Sequence, residues 1–199
     1  MRGNGVTFTI ANIITLARLF IAPIFLVFAL TDTAWAINVA AVLFIVGAVS
    51  DYFDGLLARK YGEVTELGVY LDPLADKVLT TAAFVVFFVH DIMPLWMVII
   101  IVVRDFGTTA LRSLASAEGK PLVTSRSAKV KTFLQMAFIA YVLILMWARH
   151  VLSEPAASDA YRLLYSTPTY LAILGITLFT LWTAVEYVLD NRTMFRRES

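Results

Sequence analysis

The sequence predicts an all-α integral membrane protein, with six transmembrane helices around a polar cavity open to the cytoplasm and a short N-terminal juxtamembrane segment. Three observations carry this. Hydrophobic residues make up 60% of the 199 positions and the mean hydropathy is +0.79, while charged residues are only 16%. A soluble fold with so few charges does not cover its own surface. The apolar residues fall in runs near the ~20 residues that cross a hydrocarbon core. Of the 16 lysines and arginines, all but Arg149 and Arg162 fall on one side of a six-span topology. That is a strong positive-inside bias, and it places both termini on the cytoplasmic side of a cell membrane.

The length fits one domain, residues 1–199. Residues 1–12, with Arg2, form a juxtamembrane arm. The first span runs from about Ile13 to Leu30, carries Pro23, and lets Arg18 snorkel to the head groups. Its apolar run lacks a small-residue cleavage site, so no removable signal peptide is expected. The second run starts near Ala36 and continues as helix to about Lys60. A third goes from an Asp72–Pro73 turn to His90, with Pro73 in a first helical turn, where its missing N–H costs nothing. The remaining spans cover about Met93 to Leu114, Lys129 to Ala148 and Ser166 to Leu189. No repeat, linker or low-complexity segment interrupts them.

Cysteine is absent, which excludes disulfides, thiolate nucleophiles and Cys-type zinc sites. The two histidines, His90 and His150, sit at the far ends of apolar runs, so a general base near the acidic cluster must be a carboxylate.

That cluster is the most informative stretch. Asp51, Asp54, Asp72 and Asp76 lie within 26 residues, between long apolar runs. Intramembrane charge is costly and marks a functional site by default. Asp51, Asp54 and Ala58 share one face of a helix, and Asp72 and Asp76 share a face of the next. If the second helix folds back on the first, four carboxylates meet. Without a partner they repel and some must protonate. An oxygen-only donor set suits hard divalent cations, Mg²⁺ or Mn²⁺, and we read a two-metal site.

A second group is basic. Arg104 falls about ten residues into the fourth span, at a depth where a guanidinium does not face lipid. It either pairs with a motif aspartate or with Asp105, or lines the cavity. Arg112 follows two turns on, then Arg126, Lys129 and Lys131. Together they suit an anionic substrate group, or, for Arg126 and the lysines, anionic head groups. Lys129 and Lys131 are two apart, so only one of them points inward on a regular helix.

The order Asp51-x2-Asp54-Gly55-x2-Ala58-Arg59-x8-Gly68-x3-Asp72-x3-Asp76 resembles the signature of the CDP-alcohol phosphotransferase family. All eight fixed positions match. The flanks Asn12-Ile-Ile-Thr15-Leu-Ala-Arg18, Arg104-Asp105…Ala110-Leu111-Arg112 and Lys129-Val-Lys131-Thr132 resemble the branch of that family with a glycerol-phosphate acceptor. That branch more often has glutamate after the first arginine, and an Asn-Ile-Pro-Asn start where Thr9-Ile10-Ala11-Asn12 stands here.

The resemblance implies transfer of a phosphatidyl group from CDP-diacylglycerol to the 1-hydroxyl of sn-glycerol 3-phosphate, releasing CMP. It implies that Asp51, Asp54 and Asp72 ligate one ion and Asp51, Asp72 and Asp76 a second, with Asp76 also the base. Asn12, Thr15, Asp54, Gly55, Ala58, Arg59 and Gly68 would bind the CDP donor; the smallness of Gly55 and Ala58 equally serves close helix packing. Arg104, Arg112, Arg126, Lys129 and Lys131 would hold the acceptor's phosphate. A homodimer and membrane lipid are the implied partners, and no nucleic acid. Another acceptor (inositol phosphate, serine or phosphatidylglycerol) fits the same motif. A divalent-cation or proton-coupled transporter is the reading from another class; the chain shows no paired broken helices or inverted repeat for it.

Overall fold

The computed structural model describes the backbone of residues 10–61, 66–117 and 125–191; the side chains at 10–12, 51–61, 66–73, 76, 114, 116 and 117 lie outside the description. Among the described residues there are seven helices and no strands: α1 (Ile10–Leu30), α2 (Ala34–Tyr61), α3 (Glu66–Val89), α4 (Leu95–Ala117), α5 (Arg126–Val151), α6 (Ala156–Leu164) and α7 (Thr167–Asp190). The chain forms two compact units, Met1–Val86 and Phe87–Ser199, and the division falls near the end of α3.

In the first unit α1 packs on α2 through a stripe at helical period. Thr15, Arg18, Ala22, Phe25 and Ala29 are buried on α1, and Ala36, Ile37, Ala40 and Phe44 on α2. Phe25 and Phe44 meet at 5.6 Å between centroids, and Phe28 meets Trp35 edge-on at 5.5 Å. The small residues between them let the two backbones approach. Phe20, Ile24 and Val27 stay exposed on the opposite face of α1. Arg18 corrects the sequence expectation. It is 1% exposed, because it shares the inward stripe with Thr15 and Ala22 and does not snorkel outward.

Gly47 sets the approach of α2 to α3. A Cβ there would stand 2.7 Å from Leu79 Cδ2 and 3.5 Å from Ile21 Cγ2. Leu79 is itself buried, so a larger side chain displaces packed atoms. Gly47→Leu is expected to lower the thermal midpoint of the purified protein by several degrees, with Gly47→Ala milder because Leu79 is a flexible side-chain end. A midpoint unchanged in both variants would show that this contact is slack.

Pro73 is a second correction. α3 begins at Glu66, so Pro73 lies about two turns inside the helix and not in its first turn. Proline has no N–H for the carbonyl one turn earlier, and flanking helix carries the chain through. At its other end α3 closes with Ile92 N donating to Phe87 O and Asp91 N to Phe88 O, with Asp91 at φ 57°.

In the second unit α7 packs against α4 and α5, and α6 packs against α5. Phe87 meets Phe138 edge-on at 6.2 Å. Ser125 and Ser166 cap α5 and α7, accepting from Ala128 N and Thr169 N. α7 has its polarity turned inside out. Thr169, Thr177, Thr180, Thr183 and Tyr187 are buried, while Leu171, Leu178, Leu181, Trp182, Val185 and Val188 are exposed. An apolar outer face this continuous belongs in hydrocarbon, with hydroxyls turned to neighbouring helices.

Among the described residues three helices are long and apolar enough to cross a membrane: α1 over Ile13–Leu30, α5 and α7. The apolar parts of α2 and α3 among the described residues are Ala34–Ser50 and Lys77–Val89. α6 was not foreseen. It lies between the fifth and sixth expected spans, where no element was assigned, and only Ala160 and Leu164 of this short helix are buried.

Candidate active site

The acidic motif lies on two continuous helices. α2 runs unbroken through Asp51, Asp54, Gly55, Ala58 and Arg59 to Tyr61, and α3 carries Gly68, Asp72 and Asp76. The side chains of these residues lie outside the described ones, as does that of Asn12. Their register is nonetheless fixed by neighbours that are described. Gly47 faces Leu79 across the α2–α3 approach. Four and seven residues beyond Gly47 are Asp51 and Asp54, which therefore belong to the same stripe of α2. Three and seven residues before Leu79 are Asp76 and Asp72, on the same stripe of α3. Among the described residues no three His, Cys, Asp or Glu side chains are placed to hold a metal ion. Thr15, expected near the donor, is fully buried on α1.

The second unit holds a buried ionic group. Asp105 Oδ1 accepts from Lys131 Nζ at 2.5 Å and from Arg104 NH1 at 3.2 Å. Lys131 is fully buried and the Arg104 and Asp105 side chains are 9% and 7% exposed. α4 presents Arg104 and Asp105 near its middle, and α5 supplies Lys131 from its second turn. Two cations share one carboxylate oxygen away from water. Arg104 Nε is buried without a hydrogen-bond partner among the described residues.

The choice between the two lysines is settled by burial. Lys131 points into the unit and Lys129 is exposed, as their spacing on one helix requires. Arg126 and Arg112 are exposed as well.

Glu186 is a residue that the sequence reading passed over. It accepts hydrogen bonds from Ser127 Oγ and, at 3.4 Å, from Ser125 Oγ, tying α7 to the start of α5 beside Arg126 and Lys129. A lone glutamate inside an apolar run was the available signal.

These placements belong to a helical membrane protein that carries its acidic motif on α2 and α3 and a buried ionic group on α4 and α5. Residues 8–185 match the family model for CDP-alcohol phosphatidyltransferases, and the chain belongs to that family. It is 34% identical to the CDP-diacylglycerol–glycerol-3-phosphate 3-phosphatidyltransferase of Bacillus subtilis, over 92% of this chain and 95% of the relative. The protein of the same name from Salmonella paratyphi A is 33% identical over 91% and 93%. A probable phosphatidylglycerophosphate synthase of Mycobacterium tuberculosis is 38% identical over 71% of this chain and 69% of its own.

Proposed function

We propose that this chain transfers the phosphatidyl group of CDP-diacylglycerol to sn-glycerol 3-phosphate, giving phosphatidylglycerophosphate and CMP. The observation that carries the reading is the register of α2 and α3. Gly47 against Leu79 supports an arrangement in which the Asp51–Asp54 stripe and the Asp72–Asp76 stripe turn toward each other. Relatives that bear this activity in their names, similar across nine-tenths of both chains, support the choice of acceptor.

Four carboxylates on facing stripes with oxygen donors only suit a pair of divalent cations, Mg²⁺ or Mn²⁺. Asp51, Asp54 and Asp72 would hold one ion and Asp51, Asp72 and Asp76 the other. When bound, the ions neutralise the diphosphate and the departing CMP phosphate. The chain's own residues do the rest. The helix face at Gly55 and Ala58 leaves room for the nucleotide, and Arg59, with Asn12, Thr15 and Gly68, contacts the donor. Asp76 accepts the proton of the acceptor hydroxyl as its oxygen bonds to the phosphatidyl phosphorus and the bond to CMP breaks. Arg104 and Lys131 face the acceptor's phosphate from the buried group, with Arg112, Arg126 and Lys129 at its solvent side.

Six spans with both termini and the aspartates on the cytoplasmic side agree with the basic residues, which gather at those helix ends. In that topology the acyl chains remain in the bilayer while the diphosphate reaches water. The family likeness also supports a homodimer.

Asp76→Asn is expected to lose the chemical step while still binding CDP-diacylglycerol, since it removes the base and one ligand of a single ion. Equal turnover of variant and wild type at saturating substrates would take Asp76 out of the mechanism. The reading as a whole is tested by presenting the purified protein with CDP-diacylglycerol, Mg²⁺ and each labelled acceptor in turn: glycerol 3-phosphate, inositol phosphate, serine and phosphatidylglycerol. Product with glycerol 3-phosphate alone is the expected result, and product with only another acceptor overturns the choice.

A further inference from the structure

We infer that Glu186 is a positioning residue for the acceptor's phosphate: from α7 it fixes the first turn of α5, on which Arg126 and Lys129 stand. The inference rests on the proposed acceptor and deepens it. α5 and α7 run antiparallel and meet through polar pairs along their length. Tyr141 Oη and Thr169 Oγ1 are 2.8 Å apart, and further along Gln135 Nε2 donates to Thr180 Oγ1 at 3.5 Å. At the end where α5 begins, Ser127 Oγ donates to Glu186 Oε2, and Ser125 Oγ stands 3.4 Å from the same oxygen. Neutral groups make the first two pairs, and the charged one stands where the basic turn begins. A carboxylate inside an apolar run is costly enough to mark a function.

The donors around this carboxylate form a chain. Ala128 N donates to Ser125 Oγ at 3.3 Å, the two serine hydroxyls meet at 2.7 Å, and Ser127 donates onward to Glu186. The Ser127 proton is committed to the carboxylate, so the Ser125 proton serves Ser127 and, at longer range, Glu186. Bonds that end on a charge polarise one another in the same sense. A carboxylate beside the first turn also complements the positive end of the helix. The cap of α5 is thereby anchored on α7 as well as in its own turn. What the anchor holds is basic. The first two turns of α5 carry Arg126, Lys129 and Lys131, three of the five cations proposed for the phosphate. Lys131 is bonded to Asp105 of α4 at 2.5 Å. Arg126 and Lys129 are exposed, so their placement is only as definite as the turn that carries them. A negative charge at this place repels a phosphate through space, so the sign of its effect separates holding from electrostatics.

Glu186→Ala removes the anchor, and Ser127→Ala removes its nearer donor without touching α7. In the full-length, detergent-purified protein each is expected to weaken glycerol 3-phosphate binding, read by titration calorimetry, by about tenfold, the size of one charge-assisted hydrogen bond. The KM for the acceptor should rise in parallel while the KM for CDP-diacylglycerol stays put. Amide hydrogen exchange over residues 125–131 should speed up in both variants. Glu186→Gln keeps an accepting oxygen for Ser127, so its acceptor affinity and its exchange should stay close to those of the wild type. The double variant Glu186→Ala/Ser127→Ala should bind no more weakly than either single one, since the two residues act as one tie. Unchanged or tighter binding of glycerol 3-phosphate by both alanine variants overturns the inference. So does equal loss of donor and acceptor affinity, or a Glu186→Gln protein as weak as Glu186→Ala. A wild type that binds glycerol 3-phosphate and transfers nothing to it overturns the proposed reaction, and the binding and exchange arms then still decide the role of Glu186.

Discussion

Asp72→Asn is expected to abolish turnover, and so is excess EDTA applied to the wild type, with activity returning on addition of Mg²⁺ or Mn²⁺. The proposed donor set explains why the effect is large. Asp72 is shared between both proposed ions, so its loss weakens the whole charge-neutralising assembly. Metal stabilisation of transition-state charge is worth several kcal/mol, which is ~10³-fold in rate. Asp51→Asn, the other shared position, should match it, and Asp54→Asn should lose activity while a remnant of the second site survives. All three proteins should insert and purify, because relieving repulsion among four carboxylates does not harm packing. Turnover of radiolabelled glycerol 3-phosphate in detergent, with and without EDTA, measures all of this. Full activity in EDTA contradicts the two-ion reading outright.

Much of the frame was legible because membrane helices announce themselves. An apolar run must be helical where no water can serve the backbone, so the ends of α1, α2 and α7 fall within a few residues of the expected ones. The motif was legible for a different reason. Carboxylates beside hydrocarbon are too costly to be incidental, and their spacing fixes a face. What did not read out depended on neighbours. Pro73 looks like a helix start when taken alone, yet α3 begins at Glu66 and carries it in its interior. Arg18 looks like a snorkelling residue, but which way a helix face turns is decided by its packing partner, here α2. The 26 residues between Asp105 and Lys131 hid their pairing, and only burial distinguished Lys131 from Lys129. α6 escaped because nine residues are too short to register as a span. Gly47 shows the reverse: nothing in its sequence context signals it, and it stands at the close approach of α2 to Leu79 of α3.

Arg104 and Arg112 should part company when they are replaced. Both were assigned to the acceptor's phosphate from sequence, but Arg104 is nearly buried beside Asp105 and Arg112 is exposed. A guanidinium shielded from water makes a charge-assisted contact worth about 1.5–3 kcal/mol. Arg104→Ala is therefore expected to raise the KM for glycerol 3-phosphate by at least about tenfold. That loss should persist at high salt, because buried pairs are screened little. The variant should still fold, since Asp105 keeps its bond to Lys131. Arg112→Lys changes a solvated charge into another solvated charge and forfeits only fork geometry. Its KM should rise a few-fold at low ionic strength, and the difference from wild type should fade as salt is added. The KM for CDP-diacylglycerol should barely move in either variant, because the proposed donor site is on the aspartate helices. Acceptor and donor KM values at two salt concentrations decide the matter. Equal loss of donor and acceptor affinity in Arg104→Ala would make the buried cationic group structural, and the choice of glycerol 3-phosphate would then stand on family likeness alone.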